Sequence, residues 1–429
     1  EDNVSRSEAD VIDGYSNTSG IVTLRSITDT VDNITSVNQN GNISIASAAV
    51  TVTNPATLAN ANSINGFTDG LVTLKKVQDS YDNLIAIDKL TTSEVSMADA
   101  AVTVTGSIDI SKVDALRQTT TGNVTVVDLT EDKADLATIA SYTDVILSST
   151  NITVTDDVNK SEVDTINTYN DAGGVVTVSS ITDNFSNISN VHGTSGISIG
   201  TALITATDPV TLANATALNG FTNAQVTLNA VQDTVSNITD INKLETTEVS
   251  MAKATVTVTD PASLSDANAI NLMTEGKVTL NSVADNYSNI QSIKSINDSQ
   301  VDMGAAAVRV INNITKSEVD DLLTDTTGKI TVDSITEDKS DLSTINDNTN
   351  VILSTANITV EDNVSRSEAD VIDGYNTAGG TVTLTSITDT ISDVTAVNSN
   401  TNISLANAAI IITDAASLSD ANAINLMTE

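Results

Sequence analysis

Cysteine and tryptophan are absent from the 429 residues, and histidine occurs once. Each gap removes a class of chemistry. Without cysteine there is no disulfide framework and no thiolate metal site. A lone imidazole, His192 in the Gly/Ser/Thr-rich stretch NVHGTSG, supplies no metal cluster and reads as an ordinary surface residue of a turn. Aromatic residues make up only 2% of the chain, so the core must be built from Val, Ile, Leu and Ala. Such a core suits thin, closely stacked layers. Positive charge is scarce, with 18 basic residues against 56 acidic ones and a net charge of −38. That balance disfavours nucleic acid and anionic membranes as partners, because phosphate binding needs clustered Lys and Arg. It favours solubility and an affinity for cations. No run of 18 apolar residues, signal peptide or lipidation motif is present. No G-x-S-x-G, phosphate-cradling glycine loop, EF-hand loop or G-G-x-G-x-D nonapeptide occurs either.

What the chain does have is repetition. Glu1–Tyr15 returns unchanged as Glu361–Tyr375. A phrase of the type VTLxSITD starts at Val22, Val72, Val124, Val176, Val226, Val278, Ile330 and Val382, in steps of 50 or 52 residues. A fixed period of this size is the signature of a solenoid, in which each repeat cannot bury its apolar face alone and stacking supplies the core. Each unit divides again at a marker, an acidic or small polar residue closing a strand-like run. The markers are Asp2, Asp29, Asn54, Asp79, Gly106, Glu131, Asp156, Asp183, Asp208, Asp233, Asp260, Asp285, Asn312, Glu337, Glu361, Asp389 and Asp414. These 17 positions define coils of about 25 residues. The expectation is one continuous array over residues 1–429, a window of a longer repetitive protein with no domain break.

Before the marker lies a strand signal. Val50 and Val52 alternate with Thr51 and Thr53, and Val102/Val104 and Val256/Val258 repeat the pattern, so these valines should point inward. Upstream, Ile43-Ser44-Ile45 reads as a second short strand. The apolar phase slips between Ile45 and Ala48, which implies a corner or bulge. After the marker the period becomes three, as in Val31/Ile34/Val37, Leu84/Ile87/Leu90 and Ala267/Ile270/Met273, which predicts a short helix with one buried face. Ser5…Glu8, Thr315…Glu318 and Ser365…Glu368 have capping-box form. The coil therefore reads strand–strand–short helix, and the fold class is an α/β repeat solenoid. Stacked strands lie about 4.8 Å apart and helices about 8–10 Å. Two helix types alternate, TVDNITSVN and PATLANANSIN, so one expectation is that successive helices fall on opposite sides of the stack. The alternative is that duplication copied a two-coil block.

Three residue sets are candidates for a site. The marker carboxylates Asp29, Asp79, Asp156, Asp183, Asp208, Asp233, Asp260, Asp285, Asp389 and Asp414 either cap helix N-termini or hold Ca²⁺ between coils. The outward threonines Thr51/Thr53, Thr103/Thr105, Thr153/Thr155, Thr205/Thr207 and Thr257/Thr259 either serve as solvent-facing strand residues or form a ladder for ice or carbohydrate. Sequons at Asn33, Asn42, Asn151, Asn187 and Asn237 fit glycosylation of an extracellular rod, although the repeat grammar alone produces them.

The phrases VTLRSITDTVDNI, VTVSSITDNFSNI and VTLTSITDTISDV resemble the tandem repeats of very large secreted and cell-surface proteins of bacteria, including adhesin-like proteins and those of marine cyanobacteria. The resemblance spans essentially the whole chain and carries over no catalytic residue. It implies a non-enzymatic, extracellular structural role, with head-to-tail self-association or continuation of the same chain as the partner. The second reading is a binding module, an adhesin or a carbohydrate- or ice-binding surface, that uses the Thr-rich or acidic faces.

Overall fold

The computed structural model describes residues 3–15, 20–90, 94–244, 248–296 and 300–428. Its contacts gather the chain into two compact units, Glu1–Thr205 with Gly220–Gln225, and Ala206–Asn219 with Val226–Glu429. Each unit is an α/β repeat solenoid. The strand pairs are parallel, and 17 α-helices of 8 to 10 residues alternate with the strands among the described residues.

In the first unit, the stretch from residue 43 shows how a coil is made. Ile43–Ser44 is a short strand, a turn follows in which the Ala48 N–H donates to the Ile45 carbonyl, and Ala49–Ala56 is the main strand. Ile43, Ile45, Ala48, Val50 and Val52 are all buried, so the expected phase slip is a corner. The main strand runs two residues past its marker: Asn54 lies in a β-bulge between Val52 and Pro55, where a proline costs no ladder bond. Asp183, by contrast, ends its strand Val176–Asp183. The inward valines Val50, Val52, Val102 and Val104 are at most 1% exposed, and Val256 and Val258 match them in the second unit. Burial of each is worth about 1.5–3 kcal/mol. The helix stripe is buried, at all three members in Val31, Ile34 and Val37, and at the first two in Leu84 and Ile87, where the third, Leu90, is the C-cap.

Register explains the two-coil period. In the first unit, Ala56, Val77, Val102, Val124 and Val145 stack as one column of five. The next column, Ile108, Leu129, Ile152, Val176 and Ile197, starts two coils later. The second unit repeats this with Ala262, Val283, Val308, Ile330 and Val351, then Ile314, Ile335, Ile358, Val382 and Ile403. Every second coil a column ends and a new one begins half a strand further along. The sheet thus slides sideways once per 50 to 52 residues.

The helices do not alternate sides. In the first unit each helix from Arg6–Tyr15 to Phe185–Gly193 packs against the next one along the chain. Neighbours also share hydrogen bonds, as in the second unit where Tyr287 Oη donates to Asp321 and Gln291 Nε2 to Asp325. The expectation of opposite sides assumed strands stacked in one straight column. The register shows that the strands are not one column, since the sheet slides once per two coils, so the straight-stack geometry behind that expectation does not apply.

A polar residue is buried at the start of every second coil. Thr68 donates to the Ala48 carbonyl at 2.6 Å and accepts from the Gly70 N–H. Thr120/Ala100, Thr274/Ala254 and Thr326/Ala306 repeat the bridge. Asn170 and Asn376 make the donated half of this bridge through their amides, to the Thr150 and Ala356 carbonyls. Space beside the bridge is tight at Gly276, where a Cβ would stand 2.1 Å from the Ala254 carbonyl oxygen, although Ala224 fills the equivalent place beside Thr222.

Candidate functional site

The marker residues are positioned by the strand ladder. A marker lies on its strand directly beside the start of the helix in the preceding coil. Its side chain accepts a hydrogen bond from the first N–H of that helix. Asp29 accepts from Arg6, Asn54 from Val31, Asp79 from Leu58, Asp156 from Lys133 and Asp183 from Lys160. In the second unit Asp233 accepts from Leu212, Asp260 from Val235, Asp285 from Leu264, Asn312 from Tyr287, Asp389 from Arg366 and Asp414 from Ile391. Glu131 and Glu337 do so for Ile110 and Lys316. The capping that the sequence suggested within a coil therefore runs between coils. Each helix's own N-cap is the residue after the marker in one coil type, Thr30 after Asp29 for instance, and three residues after it in the other, Ser263 after Asp260. Asp208 occupies the same place in its strand Leu203–Val210 as Asp260 does in Thr255–Ala262. At the step near residue 361, Asp362 accepts from Lys339, so the working marker is Asp362 and not Glu361. Asp2 lies outside the described residues.

Aspartate markers at or next to a strand end carry a second duty. One oxygen of Asp183 caps the preceding coil, while the other accepts from the Asn184 N–H and the Asn187 amide, both at 2.8 Å. Asp29, Asp79, Asp233 and Asp285 pair with Asn33, Asn83, Asn237 and Asn289 in the same way. At Asp183, partial burial opposes the charge, but the Lys160 and Asn184 N–H groups and the Asn187 amide outweigh it and hold the carboxyl below the ordinary aspartate value. Asp29, Asp79, Asp233 and Asp285 shift down with the same balance of causes. This D-x-x-x-N pairing went unnoticed in the sequence, although Asp-to-Asn spacing of four recurs plainly in TDTVDN, QDSYDN and TDNFSN.

Charge is also tied across helices. Lys133 reaches Glu162 at 2.9 Å and Lys339 reaches Glu368 at 2.9 Å. Arg117 pairs with Asp144 while lying 3.7 Å from the Tyr142 ring centroid. Such half-exposed pairs contribute little each, about 0–1 kcal/mol. They do align neighbouring helices.

The other candidates are placed as follows. Oxygens of the marker carboxylates are occupied by N–H donors, and among the described residues no group of three or more His, Cys, Asp or Glu is arranged to hold a metal ion. Thr51 pairs with Thr28 and Thr73, and Thr257 with Gln232 and Thr279, on the solvent side of the sheet. Because the sheet slides, these outward columns are short and end beside the bulges. Thr53, Thr155 and Thr259 are exposed, whereas Thr51, Thr103, Thr153 and Thr257 are half-buried. The amides of Asn33, Asn187 and Asn237 are spent on the marker aspartates, and that of Asn151 on Asp128. Asn42 sits exposed in a turn. His192 lies in the last turn of the Phe185–Gly193 helix, not in a loop, and stacks on Phe221 with ring centroids 4.1 Å apart. Among the described residues no helix is long and apolar enough to cross a membrane. A scan against models of known protein families finds no match to this chain, and a search of curated proteins finds none.

Proposed function

We propose that the chain is a structural repeat protein of the cell exterior, a building element of a fibre, surface layer or adhesin stalk, with no catalytic role. One observation carries this reading: a coil is incomplete until the next one stacks on it. The following coil contributes the strand that closes the ladder and the acceptor that caps the helix. A protein built so that every edge invites the same kind of edge is suited to extension. The acidic exterior, at a net charge of −38, keeps such arrays apart sideways at low salt. The partner is then a further coil of the same kind, met head to tail in a heterologous contact that does not close on itself. The secreted, cell-surface setting rests on the resemblance of the repeat phrases.

Sedimentation across a concentration and Ca²⁺ series tests the proposal. Species that grow along one dimension with concentration, and bundle sideways only when divalent cation is added, support it. A monodisperse monomer indifferent to both overturns it.

A further inference from the structure

One joint in the first unit departs from the capping rule. Fourteen helices among the described residues receive the marker bond from the coil that follows. The Tyr81–Lys89 helix does not, because the marker position of the next coil is Gly106. Glycine has no acceptor to offer, and here the backbone turns to φ +82, a conformation that the Asp and Asn markers do not adopt. The same helix lacks the local bond as well: Ser80 is its N-cap, and the hydroxyl accepts nothing from the helix. No other helix among the described residues is without both. Lys112 places its ammonium 5.7 Å from the Tyr81 ring centroid, which puts positive charge beside a positive helix end. The strands on this side are not weakened. Residues Lys76–Ser80 pair with Ala101–Thr105 over five residues, one more than Ser26–Asp29 with Ala49–Val52.

We infer that the first turn of the Tyr81–Lys89 helix is a built-in opening point, where the helix face of the array loosens while the strands stay joined. An array that is uniform in its ladder but uncapped at one helix opens there first, because local opening follows the least supported segment. Asp79 still holds the Ser80 N–H and the Asn83 amide. The loosening is therefore of the coil-to-coil contact and not of the helix as a whole.

Native-state hydrogen exchange on the whole chain at low concentration, where no assembly enters, decides the matter. Amides of residues 81–84 should exchange about tenfold faster than those of residues 31–34, whose helix has both caps. Gly106→Asn, which restores the acceptor used at Asn54, should bring the two segments together. Equal protection in the unaltered protein overturns the inference, as does a folded Gly106→Asn protein with unchanged exchange. Asp260→Gly runs the test in the other direction and does not depend on the first variant folding. It should accelerate the amides that follow Thr234, and no acceleration there would show that the marker bond does not govern opening.

Discussion

The eight residues LSDANAIN occur twice, at Leu264–Asn271 and Leu418–Asn425, and fold into the same helix in two different surroundings. Both copies begin with one capping box. The Ser263 N–H donates to Asp266 at 2.9 Å, and the Ser417 N–H to Asp420 at 2.8 Å. Beyond that the copies diverge. Ala267 and Ile270 are 0% exposed, whereas the later copy has no buried residue at all. The earlier helix is covered by the Tyr287–Lys294 helix and the Val278–Asp285 strand, and the Leu264 N–H reaches Asp285 at 3.0 Å. No coil follows the later helix among the described residues. The helix is thus a local product of its cap and spacing, while burial is supplied entirely by the neighbour. In this protein the apolar stripe marks where a neighbour belongs, not where one is present.

The strongest test of that comparison removes the same side chain from both copies. Ile270→Ala should cost about 2–5 kcal/mol, since a filled site becomes a cavity between coils. Ile424→Ala, half-exposed, should cost less than about 1 kcal/mol. Urea denaturation of both variants gives the difference, and equal losses would mean that the later copy is covered in solution. The second test uses the buried hydroxyl. Thr274 bridges the Ala254 carbonyl and the Gly276 N–H. The hydroxyl of its counterpart Thr428 donates instead to the Asn425 carbonyl, at 3.2 Å. Thr274→Val leaves a buried acceptor and donor unmatched and should cost about 1–3 kcal/mol, whereas Thr428→Val should be close to neutral.

Much of this was readable in the residues, and what was missed shares a cause. The alternation Val50/Val52 and the triplet Val31/Ile34/Val37 report burial directly, because period follows secondary structure. The slip from Ile45 to Ala48 marked a corner for the same reason. The role of the markers was only half visible. Asp and Asn before a helix suggest capping, but the sequence does not say which helix, and Asp183 serves Lys160 from the next coil as well as Asn184 and Asn187 in its own. That assignment depends on register, which pairs residues 23 apart. The sideways slide was hidden likewise. Val72 stacks on Val95 while Val77 stacks on Val102, two different offsets within one strand, and no periodicity count separates them. The Thr68 bridge was overlooked because threonine near glycine reads as a turn.

A third test probes the contact that the later copy lacks. Asp285→Ala takes the acceptor from Leu264, Asn286 and Asn289 together. It should cost about 1–2 kcal/mol, the range of a strong cap. Acid should act in the same direction. Burial works against the Asp285 charge, but its N–H partners hold the carboxyl below the ordinary value. A depressed folded value means that the contribution is complete above the unfolded value, about pH 4, and is lost as pH falls through the folded one. The melting temperature should therefore show no dependence on these groups between pH 5 and 8, as an order-of-magnitude window, and should fall below about pH 4. A decline that sets in near neutrality would point to other groups.

The smallest effect is the most discriminating, because there the two copies should agree. Ser263→Ala and Ser417→Ala each remove a hydroxyl that accepts from the residue three along, Asp266 at 3.3 Å and Asp420 at 3.2 Å. Both serines are N-caps of one box, and neither bond involves a second coil. Each substitution should weaken its helix by about 0.5–1 kcal/mol, with the pair equal within about 0.5 kcal/mol. The consequence should differ even so. At Ser263 the neighbouring coil holds the helix in place, so the loss appears in the denaturation midpoint with helicity unchanged. At Ser417 no residue of the helix is buried and no following coil covers it among the described residues, and short helices are marginal alone. There the loss should appear as reduced helicity in the folded protein by circular dichroism, with the midpoint little moved. If Ser417→Ala shifted the midpoint as Ser263→Ala does, the later copy would be docked on a neighbour, and the contrast between the two regions would fail at its root.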